Sequence, residues 1–435
     1  MQISIIGAGY VGLVSGVCFA ELGFNVTCID SNDQRIAQMR QGVSPIYEPG
    51  LDELLTKNIA AGRMKFANAI DAAVGKADLL FLAVGTPMSD SGEADLSQIF
   101  TAAEQCAPFL SGYTIIVLKS TVPVGTNQAV ETRLRALRSD ADFDVCSNPE
   151  FLREGSAIRD FMEPDRVLVG SQSQRASGLM GALYRPLAAR GVPVLFVSRE
   201  SAEMAKYAAN AFLAMKITFI NEVSDICEKL GGNISEVAKA IGLDNRIGGK
   251  FLNPGPGFGG SCFPKDLAAL VHQSRQAGVP MTLAEQVQRV NEDRKRSMAD
   301  RIERAGDGVA GKTVAILGVT FKPDTDDMRD APSLSIIPIL LERGAAVRAY
   351  DPAGRENAEA LLPGVNWSQS ALEAISGADI VVVLTEWSEF GAMDLPDMKR
   401  AMKGGVLVDL RNVFNPQDAA SAGLSYSGIG QKQSG

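Results

Sequence analysis

Short, strongly apolar runs alternate with longer amphipathic stretches along the first part of the chain, stop in the middle, and then begin again. Gln2–Ile6 (QISII) predicts a buried strand, VSGVCFAELGF a helix, and Asn25–Ile29 a second strand that ends at Asp30. Further strands are predicted in ADLLFLAVGTP, TIIVLKSTVP and DFDVCS. From residue 200 to 300 the strand pattern disappears and the sequence reads as helical. Its most apolar stretch, 202–223, carries Glu203, Lys206, Lys216 and Glu222, which predicts a buried helix and not a membrane span. From Lys312 the rhythm resumes: TVAILGVTF (strand), SLSIIPILLERG (helix), AAVRAYDP, ADIVVVLTEW and GGVLVDLRN (strands). The residues after 425 read as a frayed tail.

The first strand–helix junction is Gly7-Ala8-Gly9-Tyr10-Val11-Gly12. Its spacing is that of a dinucleotide fingerprint. Gly7 permits the tight turn, Gly9 lets a pyrophosphate approach the backbone, and Gly12 lets helix and strand pack closely. Asp30 follows about 20 residues on, where a carboxylate accepts from the adenosine ribose hydroxyls. That acid repels a 2′-phosphate and so favours NAD over NADP, although nearby Arg35 could accept such a phosphate. The second half repeats the strand–helix rhythm without these glycines. The predicted fold class is therefore α/β, with two Rossmann-like doubly wound parallel-sheet domains at 1–200 and 310–435 joined by a central helical region at 201–300.

Composition narrows the chemistry. The 435 residues are 46% hydrophobic and 21% charged, with a net charge of −9 and no basic run, which argues against a general nucleic-acid binder. Six cysteines without CxxC spacing suggest neither a disulfide framework nor a zinc site, and no metal is expected. Reduced thiols and an N-terminus without signal-peptide character point to a cytoplasmic protein. The single histidine, His272, reads as a helix residue, so proton transfer falls to carboxylates, lysine or water.

One cysteine stands apart. Gly248 to Gly260 holds six glycines and two prolines and runs into Ser261-Cys262-Phe263-Pro264-Lys265-Asp266. This is poor core sequence and places Cys262 at the end of a loop able to approach a ligand closely. Lys265 and a following helix N-terminus would favour its thiolate. Cys18, Cys28, Cys106, Cys146 and Cys227 read as buried and inert. Other candidates lie at predicted strand ends: Thr86, Thr121, and the segment Asn148 to Gly155. Glu150 and Glu154 could share a helix face, either as solvated charges or as a base and its partner. Glu203, Lys206 and Asn210 fall on one face of a helix, and the apolar surroundings of Lys206 call for a buried partner. Lys322 and Arg329 follow the first strand of the second α/β unit, and Arg411 its last strong strand.

GAGYVG, SPIYEPGL (Ser44 to Leu51), NPEFLREG, AKYAANAFLA, PGFGGSCFPKD and FKPDTDDMRD, in this order along essentially the whole chain, together resemble the UDP-glucose/GDP-mannose dehydrogenases. The resemblance implies a four-electron oxidation of UDP-glucose to UDP-glucuronate with NAD. In it Cys262 forms a thiohemiacetal and then a thioester, Lys206 and Asn210 donate to oxyanions, and Asp266, Glu150 and Thr121 assist proton transfer. It implies NAD contacts at Gly7, Gly9, Tyr10, Val11, Gly12, Asp30, Arg35, Thr86, Thr121, Glu154, Lys265 and Arg329. It implies nucleotide-sugar contacts at Glu150, Phe151, Leu152, Arg153, Glu154, Lys206, Asn210, Phe251, Leu252, Asn253, Pro254, Gly255, Gly259, Lys322 and Arg411. Arg246 would be lent to a neighbouring subunit, so a homodimer or larger homo-oligomer is implied. Phe263 and Ser261 favour UDP-glucose, since relatives acting on GDP-mannose tend to carry Leu at the first position and N-acetylmannosamine relatives His at the second. A 6-dehydrogenase of GDP-mannose or another nucleotide sugar and a non-catalytic sensor of nucleotide sugar or NAD are the alternatives.

Overall fold

The computed structural model describes residues 1–70, 72–89 and 91–431. The chain forms two compact units, Met1–Ala209 with Ala268–Val279, and Asn210–Leu267 with Pro280–Gly435.

The first unit is built on an eight-stranded sheet of β1 (Gln2–Ile6), β2 (Asn25–Ile29), β3 (Met64–Ala67), β4 (Leu79–Leu82), β5 (Thr114–Leu118), β6 (Phe143–Ser147), β7 (Val167–Gly170) and β8 (Val194–Val197). Its order, β3-β2-β1-β4-β5-β6-β7-β8, begins with the doubly wound Rossmann pattern. All neighbours are parallel except β6 and β7, which meet antiparallel at Ser147 and Gly170. The strands are apolar without alternation because helices cover both faces. In β4, Leu79 and Phe81 pack with Phe19 and Tyr184 on one face. Leu80 and Leu82 pack with Val130 and Leu134 on the other.

The second unit repeats the plan with β9 (Thr313–Leu317), β10 (Ala346–Tyr350), β11 (Asn366–Trp367), β12 (Ile380–Val383), β13 (Val406–Asp409) and β14 (Ser425–Gly428). Their order is β11-β10-β9-β12-β13-β14, all parallel. Val314 and Ile316 face Ile336 and Leu340, while Ala315 and Leu317 face Trp387 and Phe390. The predicted α/β class with two Rossmann-like sheets is what the chain adopts. The middle is helical as expected, with helices Arg199–Leu230, Ile234–Gly242, Phe263–Gln276 and Thr282–Ala305. Among the described residues, no helix is long and apolar enough to cross a membrane.

Two expectations need correction. The 202–223 stretch is not buried all round, because Met204, Phe212 and Phe219 are exposed. Its apolar residues occupy more of the helix circumference than its neighbours cover. The tail is not frayed at 425 either. β14 adds to the sheet beside β13, and Tyr426 donates from its hydroxyl to Asp409 at 3.1 Å. Ile429 is buried, and Glu228 accepts from the Gly430 N–H at 2.7 Å. A polar strand joining a sheet edge owes its order to pairing, which composition does not register. The expected tail positions 432–435 lie outside the described residues.

Candidate functional site

In the first unit, Gly7 turns the chain from β1 into the Tyr10–Glu21 helix at φ 94°, and its N–H donates to Ile29 O at the end of β2 at 2.8 Å. A Cβ on Gly12 would lie 1.9 Å from Gly7 O, so helix and strand touch only because that side chain is absent. A Cβ on Gly9 would meet nothing within 4 Å, which leaves its backbone open. Asp30 accepts from the Ala8 N–H at 2.8 Å and the Asn32 N–H at 2.9 Å and remains partly exposed. A cleft of about 950 Å³ is lined by Gly7, Gly9, Asp30, Arg35 and Gly85. An open glycine edge at a helix N-terminus, a ribose-seeking carboxylate and a cleft of this size fit a dinucleotide. At the neighbouring strand ends Thr86 and Thr121 are buried, and the Thr86 hydroxyl donates to Thr121 O at 3.0 Å.

Tyr10 does more than follow a glycine. Its hydroxyl donates to Glu48, whose buried carboxylate also accepts from the Gly155 N–H and the Ala157 N–H, both at 2.7 Å. Glu48, inside SPIYEPGL, therefore ties the fingerprint loop to the loop after β6. Nothing in local spacing singles it out, because its partners lie far along the chain.

That second loop carries Glu150. Residues 148–153 are not helical, so Glu150 and Glu154 do not share a helix face. Gly155 at φ 76° turns the chain instead. Glu150 is 6% exposed, lies 3.1 Å from the Lys206 Nζ and accepts from the Leu152 N–H at 2.5 Å. Burial raises its carboxyl, but Lys206, the Leu152 N–H and Lys119 outweigh burial and hold it below the usual range. Lys206 is thus buried with the partner its apolar setting demanded. Its ammonium also lies 5.2 Å from the centre of the Phe151 ring, on which Arg166 stacks at 3.5 Å. Leu152 and Glu154 are partly exposed, and Arg153 is held by Asp160 through two side-chain bonds of 2.9 and 2.6 Å. Val11 is partly exposed beside the fingerprint.

In the second unit, Cys262 immediately precedes the Phe263–Gln276 helix, and its carbonyl accepts the Asp266 N–H at 2.9 Å. Cys262 is partly exposed, while the other five cysteines are buried. The Ser261 hydroxyl lies 3.5 Å from the sulfur. Asp266 is 1% exposed; the Asn210 amide donates to one of its oxygens at 2.6 Å, and Lys265 Nζ lies 2.5 Å from the other. The structure therefore brings Asn210, Lys265 and Asp266 together beside the helix that Cys262 begins.

The glycine-rich loop is clamped from the 199–230 and 282–305 helices. Asn221 accepts from the Gly255 N–H at 2.8 Å, and the Arg294 Nε donates to Gly255 O at 3.1 Å. Asn291 both accepts from the Phe258 N–H and donates to Phe258 O, at 2.8 and 3.0 Å. A Cβ on Gly259 would lie 2.2 Å from Asp330 O. The rings of Phe251 and Phe258 flank Phe263 at 6.1 and 5.9 Å. Leu252 is buried, Pro254 partly so, and Asn253 is exposed. The sequence offered no sign of these asparagine and arginine clamps, since each lies about 30 or more positions from its target.

Of the remaining cations, Arg411 donates to Leu384 O at 2.9 Å and Phe321 O at 3.1 Å and pairs with Glu386 at 3.0 Å. A Cβ on Gly255 would lie 3.2 Å from its guanidinium, so the loop and Arg411 adjoin. Lys322 Nζ sits 5.5 Å from the Phe321 ring centre. Arg329 makes a two-point pair with Asp327, and Arg246, largely exposed, one with Asp244. Among the described residues no cluster of His, Cys, Asp and Glu could hold a metal ion.

The first unit thus offers a dinucleotide cleft and the second a partly exposed cysteine on a glycine-rich loop. Family models match three successive segments: the UDP-glucose/GDP-mannose dehydrogenase NAD-binding domain over 1–188, its central domain over 200–293 and its UDP-binding domain over 315–416. The chain is 49% identical to a UDP-glucose 6-dehydrogenase of Rhizobium meliloti (strain 1021) over 99% of its length and all of that protein. It is 46% identical to the UDP-glucose 6-dehydrogenase TuaD of Bacillus subtilis (strain 168), over 99% of this chain and 93% of that one. A solved UDP-glucose dehydrogenase from the archaeon Pyrobaculum islandicum superposes with a TM-score of 0.92 at 38% identity, covering 99% of this chain and 98% of that one. The chain belongs to the UDP-glucose/GDP-mannose dehydrogenase family. It is an NAD-dependent dehydrogenase of nucleotide sugars.

Proposed function

We propose that the chain oxidises C6 of UDP-glucose twice, giving UDP-glucuronate, and that Cys262 carries the half-oxidised sugar between the two oxidations. The observation that carries this reading is Cys262 itself, partly exposed at a helix N-terminus on a clamped glycine loop while every other cysteine is buried. NAD, when bound, supplies the hydride acceptor for each oxidation. The chain's residues do the rest. Loss of hydride and a proton from the C6 alcohol gives an aldehyde, which has no second hydride to give until a nucleophile adds. The Cys262 thiolate adds to the carbonyl carbon, forming a C–S bond and an oxyanion. Loss of the second hydride converts this thiohemiacetal to a thioester. Water attacks the thioester, the C–S bond breaks, and the carboxylate and thiol are released.

Lys206 supplies positive charge to the oxyanions, and the Asn210 amide holds Asp266 while presenting its remaining N–H. Asp266 accepts protons from thiol and alcohol through water, and Glu150 does so for the water that hydrolyses the thioester. Gly7, Gly9, Gly12 and Asp30 hold NAD; Thr86, Thr121, Glu154, Lys265 and Arg329 complete its contacts. Phe151 to Arg153, Phe251 to Gly255, Gly259, Lys322 and Arg411 hold the nucleotide sugar. The choice of UDP-glucose rests on the full-length relatives, on Phe263 and on Ser261. The 201–300 region joins the two Rossmann-like halves. Phe212, Phe219 and Ile226 are exposed at seven-residue intervals along it. Such a stripe suits a second copy of the chain, to which Arg246 would reach.

Following NADH with UDP-glucose limiting tests the reaction. Two NADH per sugar are expected. One NADH per sugar would reduce the reading to a single oxidation, and NADH formation with GDP-mannose alone would overturn the choice of substrate.

A further inference from the structure

Lys119 has no role in the chemistry above, yet it is among the most costly placements in the first unit. It follows β5 directly, and strand alternation turns it to the face of Ile115 and Val117, where Phe161 and Tyr184 pack. Its side chain is 5% exposed, its Nζ is 6.0 Å from the Phe161 ring centre, and it donates to Asn148 Oδ1 at 3.1 Å. The Tyr184 hydroxyl donates to the same oxygen at 2.5 Å, and the Asn148 amide donates to Leu168 O at 2.7 Å, so the asparagine is locked in orientation. An ammonium has three donors, and one protein acceptor leaves it under-satisfied at a cost that buried charges do not normally bear. Next to it lies a cavity of about 40 Å³ lined by Lys119, Asn148 and Glu150. About one probe sphere of volume, 10–15 Å³, is enough for a water with polar partners.

We propose that Lys119 is a positioning residue: through a water in this cavity its fixed ammonium faces Glu150, and it keeps that carboxylate ionised when Lys206 turns its charge to the substrate. The proposal rests on the reading of Glu150 as the hydrolytic base. Its logic is electrostatic. Glu150 is too buried to stay charged without a cation, and Lys206 cannot serve both the carboxylate and an oxyanion. Lys119 is held by Asn148 and cannot leave. Burial lowers its own pKa, Glu150 raises it and Lys206 lowers it, leaving it at about 8; the upward pull of Glu150 is the mutual dependence expected of such a pair. The ionisable groups around the cavity are Lys119, Glu150, Asp160, Arg166 and Tyr184, with Lys206 on Glu150 and Arg153 neutralising Asp160. None of the others offers Glu150 a cation at this buried position, since Arg166 lies over Phe151.

The test compares Lys119→Met, Lys119→Gln and Glu150→Gln in rapid-mixing experiments with UDP-glucose and NAD, separating the NADH burst from steady-state turnover. Loss of the charge should leave the burst and the KM for both substrates within about twofold. It should slow thioester hydrolysis by about tenfold and move the acid limb of its pH profile up by about one unit. Lys119→Gln, which keeps a donor to Asn148, should behave as Lys119→Met. If Lys119→Gln hydrolyses at the wild-type rate with the wild-type pH profile, Lys119 is structural and the proposal falls. If either variant folds poorly by circular dichroism, the other decides, and if both do, Lys119 is structural and the proposal falls. If Glu150→Gln itself leaves hydrolysis unchanged, the fault lies in the role given to Glu150, and the Lys119 proposal falls with it.

Discussion

The two sheets of this chain start alike and are put to different uses. Gly318, after β9, has φ 83° and donates its N–H to Tyr350 O at 2.8 Å, the turn that Gly7 makes after β1. Each second strand is followed by an aspartate, Asp30 and Asp351. There the likeness ends. Asp30 accepts from two backbone N–H groups and keeps a face in the cleft. Asp351 is 5% exposed and accepts from the N–H groups of Val319, Thr320, Ala353 and Gly354 and from the Thr320 hydroxyl. In the first unit the helix begins at Tyr10, three residues past the turn, so its N-terminus opens on the cleft that Gly7 and Gly9 line. In the second, the next helix begins only at Ser333, after the loop that holds Lys322 and Arg329. The same topology thus leaves an acid and a helix end at an open cleft in one copy. In the other, the fold has enclosed the acid, and the loop before the next helix carries Lys322 and Arg329 in place of a glycine fingerprint.

The largest effect should come from the charge beside Glu150. Lys206→Ala should lower kcat by a factor of about 10²–10³, as loss of one oxyanion donor does, while the protein still binds NAD. A variant with near wild-type kcat would remove Lys206 from the chemistry. The glycines give the next contrast. Gly12→Ala puts a methyl group 1.9 Å from Gly7 O and should abolish stable folding of the first unit or its NAD binding. Gly9→Ala meets no protein atom, so it should melt like the wild type and lose NAD affinity alone. Equal melting losses for both would refute the view that Gly9 is kept open for a ligand.

The two acids allow a direct exchange of outcomes. Asp30→Ala should raise the KM for NAD about tenfold at little cost in stability, as loss of a hydrogen-bonded charge contact worth about 1.5 kcal/mol would. Asp351→Ala should leave that KM unchanged and destabilise the second unit by about 3 kcal/mol or more, since several buried donors lose their acceptor. Kinetics and urea unfolding on the two variants measure both.

The smallest effect concerns pH. The folded pKa of Lys119, about 8, lies below that of an unfolded lysine, so the native state loses this proton first. Its unfavourable contribution is fully present below pH 8 and fades as pH rises from about 8 to about 10.4. Lys119→Met should therefore differ from wild type in unfolding free energy by more at pH 7.5 than at pH 9.5. A constant difference would show that the lysine is not depressed.

What could be read in advance follows the same division. β1, β2, the fingerprint and Asp30 are contiguous, so their spacing carries their geometry. The renewed rhythm from Lys312 likewise announced the second sheet. Glu48, Lys119 and Asn291 were not legible as site residues, because each acts on a partner brought near only by the fold. Lys119 did leave a trace, as a charge directly behind the apolar run TIIVL. The solvent-facing side of the 199–230 helix was misread because apolar residues around a helix suggest burial, whether or not anything covers them.

Trapping the covalent species tests the central claim most directly. Glu150→Gln, mixed with UDP-glucose and NAD and quenched in acid, should carry a sugar-nucleotide acyl adduct on the peptide that contains Cys262. Acid production with the wild-type enzyme and no adduct on Cys262 under any quench, or an adduct on another cysteine, would contradict the account.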